Sequence, residues 1–131
     1  MASIRKELDV NADATTAWAL LRSAGDAQEA FKPVLTDARL EQKGRIVTFA
    51  NGMVLHEDIL DVDDVRRRIA YSVKDAPGLA YHHASMEVVA RGQGTCRFIW
   101  ITDFLPAEAS SMIAPLVEAG ANAFKSNVEA R

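Results

Sequence analysis

The sequence predicts an α+β domain in which one antiparallel sheet is covered by one long C-terminal helix. Three observations carry this. Residues 34–104 alternate apolar and polar side chains with a period of two, broken by short turn sequences. Helical periodicity is confined to a short stretch after residue 10 and to the segment after Pro106. Runs of strands with segregated helices indicate α+β, and a sheet with one apolar face needs a cover.

The elements follow in order. Residues 3–10 place Ile4, Lys6, Leu8 and Val10 on one face and read as a strand. In NADATTAWALLRSAG, Asp13 is placed to cap a helix carrying Ala14, Trp18 and Leu21 on one side, and Gly25 ends it. Residues 26–31 form a second short helix, closed before Pro33. Strands follow at 34–42, 45–50, 53–60, 66–74, 80–90 and 95–104. Asn51-Gly52 between two of them is a strong hairpin signal, since both residues tolerate positive φ. Pro106 closes the sheet, and Ile113, Leu116, Val117, Phe124 and Val128 then form one helical stripe. Pro115 requires either a helix start near Ser111 or a kink.

Composition bounds the function. The chain has 131 residues, 49% hydrophobic and 25% charged, and reads as a single domain over 1–131 with a real core. Its one cysteine, Cys96, allows no intrachain disulfide and no zinc-like spacing. A net charge of -3 argues against a nucleic-acid partner, which needs a basic stripe. The run Arg66-Arg67-Arg68 reads as a solvated strand end. No apolar run reaches the roughly 18 residues of a membrane span. MASIRKELDV has no apolar leader core, so the expected location is the cytoplasm. A homodimer is a common state for a domain of this size.

Taken in sequence, ATTAWALL, NGMVLHEDIL with Glu57, RRRIAYSV with Tyr71, HASMEVV, and TCRFIW with Trp100 followed by Phe104 and Pro106 resemble a known family. The chain resembles the SRPBCC superfamily, and within it the polyketide cyclase/dehydrase-like group. The resemblance implies the helix-grip fold shared with START domains and birch-pollen-allergen proteins. That is a curved antiparallel sheet of six to seven strands wrapped around a long C-terminal helix, with two short helices after the first strand and an apolar cavity inside. It implies no single activity: members bind lipids, sterols, polyketides or plant metabolites, and some catalyse cyclisation or dehydration. Function must therefore be argued from the cavity residues.

Strand alternation assigns those residues. Leu55, Glu57 and Ile59 face inward, as do Ile69, Tyr71 and Val73, then His82, Ala84, Met86 and Val88, then Phe98, Trp100, Thr102 and Phe104. Leu55, Met86, Phe98, Trp100, Phe104 and the helical Phe124 are the candidate ligand-binding residues. Ala114, Gly120, Ala121 and Ala123 leave room beneath the helix. Glu57, Tyr71 and His82 are the candidate catalytic residues. A register with Glu57 opposite Tyr71, Leu55 opposite Val73 and Ile59 opposite Ile69, and with His82 beside Tyr71, sets all three at one level. An inward carboxylate among apolar walls is how a general acid or base is made.

No metal site is expected. His82 and His83 point to opposite faces, and His56 and His83 lie two strands apart, roughly 9–10 Å, too far to share a zinc ion. No cofactor is required by this residue set. The leading expectation is a module that binds a small hydrophobic or amphipathic molecule between sheet and helix. The alternative is a cofactor-independent cyclase, dehydratase or isomerase acting on a polyketide-like or aromatic substrate. There His82 or Glu57 takes a proton beside a carbonyl and Tyr71 donates to the oxyanion. A second alternative is an interaction domain with a packed core.

Overall fold

A computed structural model describes residues 1–131. Strand β1 (Ala2–Val10) leads into helices α1 (Ala14–Leu21) and α2 (Ala27–Phe31), joined by a 3₁₀ turn at Ala24–Asp26. Six strands follow: β2 (Leu35–Glu41), β3 (Gly44–Phe49), β4 (Val54–Asp63), β5 (Arg68–Lys74), β6 (Tyr81–Gly92) and β7 (Thr95–Leu105). The chain ends in α3 (Ser110–Glu129). The seven strands form one antiparallel sheet in the order β1-β7-β6-β5-β4-β3-β2. The first strand is thus added beside the last, and α3 returns across the inner face against β1, β7 and α2. This is the helix-grip fold.

The core sits between the middle of the sheet and the C-terminal half of α3. Phe98, Phe104 and Phe124 are fully buried, each contributing about 1.5–3 kcal/mol by leaving water. Phe98 and Phe124 meet with ring centroids 4.5 Å apart, and Phe31 from α2 packs on Phe124 at 5.7 Å. On α1, the Trp18 indole donates to Asp64 Oδ1 at 2.9 Å, and Arg22 donates to the same atom at 2.8 Å, tying the helix to the β4–β5 turn.

Several local expectations are corrected. Asp13 precedes α1 but makes no side-chain cap; its carboxylate accepts from the Gly94 N–H at 2.9 Å instead, anchoring the β6–β7 turn. Helix α1 ends at Leu21, before Gly25. The β3–β4 hairpin has a three-residue loop, Ala50 to Gly52, closed by Gly52 N–H on the Phe49 carbonyl at 2.9 Å. Only Gly52 takes positive φ, at 91°, the G1-bulge position. Register in β4–β5 differs by two residues: Glu57 pairs with Val73 and Ile59 with Tyr71, while a bulge between Ile59 and Asp61 sets Val62 opposite Ile69. Tyr71 pairs with Ala84 on β6 rather than lying level with His82. Pro115 falls in the second turn of α3, on the solvent face, where the unpaired carbonyl of Ser111 is open to water.

Candidate functional site

Between the sheet and the N-terminal half of α3 lies a cavity of about 90 Å³, several times the ~10–15 Å³ that one water needs. Its walls are mostly apolar. Phe49, Leu55, Met86 and Trp100 line it from the sheet, and Ile113, Leu116, Val117 and Gly120 from α3. Its mouth is marked by the half-exposed lining residues Met53, Ala76 and Leu79, with the exposed Met112. At Gly120 the helix comes down directly onto the Trp100 ring, which only a residue without a side chain allows: a methyl there would stand 2.9 Å from Trp100 Cζ3.

The polar side chains gather at one end, on the sheet. Alternation along β3 turns Arg45, Val47 and Phe49 inward, and the hairpin pairs Arg45 directly with Glu57. Arg45 Nε donates to Glu57 Oε1 at 2.7 Å, and the two side chains are only 5% and 8% exposed. A charge pair this deep is held by its hydrogen bond, since neither partner is tolerable alone. Arg45 also lies over the Tyr71 ring, 5.4 Å from its centroid. The Arg45 Nη groups and Glu57 Oε2 have no partner within the protein and open on the cavity.

Tyr71 and His82 complete the end wall, with ring centroids 5.7 Å apart. Burial pushes the Tyr71 phenol well above its usual range; the Glu57 charge adds to this and Arg45 opposes it. The hydroxyl therefore stays protonated. The Trp100 indole N–H stands near it but outside hydrogen-bond geometry, and is a buried donor without a partner. Burial, followed by the His83 charge, pulls the His82 imidazole down to about 4, with Asp103 opposing. His82 is therefore neutral at pH 7, and its hydrogen bonds define the tautomer. Nδ1 accepts from the Val73 backbone N–H at 3.0 Å, so Nε2 carries the proton and donates to Thr102 Oγ1 at 3.2 Å. Both nitrogens are occupied, which leaves no lone pair for a general base. His82 instead supplies the hydrogen bond that the Val73 N–H lacks where the β5–β6 ladder ends.

Of the residues singled out in the sequence, Glu57, Tyr71, His82, Leu55, Met86 and Trp100 all line this cavity. Phe98, Phe104 and Phe124 do not: they are packed beneath it as solid core, at 0% exposure. Arg45 was not among the residues singled out in the sequence, although alternation along β3 places it with Val47 and Phe49 on the inner face. The chain contains no group of three or more His, Cys, Asp or Glu side chains arranged to hold a metal ion. No helix is long and apolar enough to cross a membrane.

Residues 1–130 match the family model described as polyketide cyclase/dehydrase and lipid transport. The chain belongs to this family. Solved structures agree on the fold. An uncharacterised protein from Bacillus thuringiensis superposes with a TM-score of 0.88 at 18% identity, over 97% of this chain and 98% of that one. Norcoclaurine synthase from Thalictrum flavum, in complex with dopamine and hydroxybenzaldehyde, superposes at 0.74 and 20% identity, over 97% and 86%. A START superfamily protein from Mycobacterium smegmatis superposes at 0.80 and 12% identity, over 97% of each. No protein of curated function matches the chain.

Proposed function

We propose that this family member binds a small amphipathic molecule in the cavity between the sheet and α3. The carrying observation is the division of that cavity into an apolar body and one compact polar end. The walls around Leu55, Met86, Trp100 and Leu116 receive an apolar skeleton, and Arg45, Glu57 and Tyr71 orient its polar group. Such a layout is what small-molecule sites use: hydrophobic surface for affinity and a few placed polar atoms for orientation. Family membership supports the same reading at a coarser level, through lipid transport and polyketide chemistry.

A carrier is favoured over a catalyst by the state of the polar groups. His82 is spent on Val73 and Thr102, and one Glu57 oxygen is spent on Arg45. A cyclase or dehydratase would have to run on Glu57 Oε2 and Tyr71 alone. Native mass spectrometry of the gently purified protein, with metabolite extraction, tests the proposal. A co-purifying molecule, or an added apolar alcohol retained at one per chain, is expected. A chain that retains no small apolar molecule at all would refute the binding reading.

A further inference from the structure

Among the 22 residues lining the cavity, Arg45 and Glu57 are the only two that carry formal charge at neutral pH, and they pair with each other. Tyr71 and His82 are uncharged. The polar end is therefore electrically balanced before any ligand arrives. It is not hydrogen-bond saturated, because Glu57 Oε2 remains a free acceptor and the Arg45 Nη groups remain free donors.

From this balance we infer that the site selects neutral hydroxyl compounds, phenols or alcohols on a small apolar skeleton, and rejects carboxylates and amines of the same shape. This rests on the ligand-binding reading above and sharpens it. A hydroxyl is both donor and acceptor. It donates to Glu57 Oε2 and accepts from an Arg45 Nη in the same pose. A carboxylate has no proton for Glu57 and adds a second negative charge beside it, in a place where water does not screen. An ammonium meets Arg45 in the same way. A plain hydrocarbon fits the walls but leaves the free donor and acceptor dry and unpaired, which is costly. The apparent basic anchor at Arg45 is thus not an acid-binding site, because Glu57 already occupies it.

The test uses three probes with one skeleton: naphthol, naphthalene and naphthoate, titrated at pH 7 by calorimetry or Trp fluorescence. Naphthol is expected to bind about tenfold or more tighter than either of the others, a difference of about 1.4 kcal/mol. Glu57→Gln keeps the shape and removes the negative charge, leaving Arg45 uncompensated. In that variant the preference is expected to invert, with naphthoate now tightest. If Glu57→Gln does not fold, Arg45→Gln/Glu57→Gln serves. It removes both charges together and leaves the site neutral, so naphthol is expected to stay tighter than naphthoate; naphthoate binding tightest there would overturn the charge argument. Equal affinities, or naphthoate preferred by the unaltered protein, would overturn the neutral-ligand inference while leaving cavity binding intact. Absence of binding by all three probes would instead count against the binding reading itself.

Discussion

Replacing Arg45 by Met removes the only partner of the buried Glu57 carboxylate. The pair is bonded at 2.7 Å and both members are under one-tenth exposed, so little solvent reaches the charge left behind. Breaking a buried pair from one side costs about 3–5 kcal/mol. Against a total stability of about 5–15 kcal/mol, that is a large fraction. For a domain of this size it corresponds to a fall in Tm of roughly 12–20 °C. Arg45→Met/Glu57→Leu removes both charges and substitutes apolar volume. It is expected to recover most of the loss, since the pair's attraction is largely offset by its desolvation. Urea unfolding of the two single variants and the double variant, analysed as a cycle, measures this. Single losses below about 1 kcal/mol, or a double loss equal to the sum of the singles, would refute the buried-pair argument.

Other expectations concern the same region. The folded pKa of His82, about 4, lies below its unfolded value, so its contribution to stability is full above pH 6.5 and is lost as pH falls from there toward 4. The loss is about 1–3 kcal/mol once solvent screening is allowed for, and His82→Leu should show a correspondingly flatter stability between pH 7 and 4.5. Gly120→Ala gains about 1 kcal/mol of helix propensity, but its methyl stands 2.9 Å from the Trp100 ring. With overpacking costing about 1–3 kcal/mol, the variant should be less stable by thermal melting and should bind naphthol more weakly. Gly44→Ala is more severe, because its methyl would sit 1.8 Å from the Glu57 backbone carbonyl oxygen, which no side-chain motion relieves. It should give little folded protein by circular dichroism. Cys96 is fully buried and its thiol is pushed up by that burial, so it should resist thiol reagents until the chain unfolds.

The succession of elements along the chain, the inward faces of β4 to β7 and the cover by α3 were legible, the faces because alternation depends only on local parity; the place of β1 beside β7 was not. Register was less legible, since it depends on how many residues each turn consumes. The β4–β5 turn falls later than the sequence suggests, and one bulge near Leu60 takes back one residue of that displacement, so Glu57 and Ile59 pair two residues away from the expected register and keep their expected face. The β3–β4 hairpin shows the sharper case. Read as a two-residue Asn51-Gly52 turn, it pairs Arg45 with Asp58 and Glu57 with Ile46. The observed three-residue loop shifts this by one and brings Arg45 opposite Glu57. Phe98, Phe104 and Phe124 face the right way, but facing inward does not distinguish a cavity wall from solid packing. Depth under α3 decided that, and depth follows from the Phe31–Phe124–Phe98 stack assembled from distant parts of the chain. The role of His82 depended on a backbone N–H left over at the end of a ladder, which no side-chain pattern records.

An amide NMR titration of the folded protein with naphthol decides whether the cavity is a binding site. A ligand seated in the cavity gives saturable shifts clustered at Arg45, Glu57, Tyr71, Trp100, Leu116 and Gly120, the residues that meet around it. Shifts confined to the outer face of the sheet, or none at saturating probe, would contradict cavity binding.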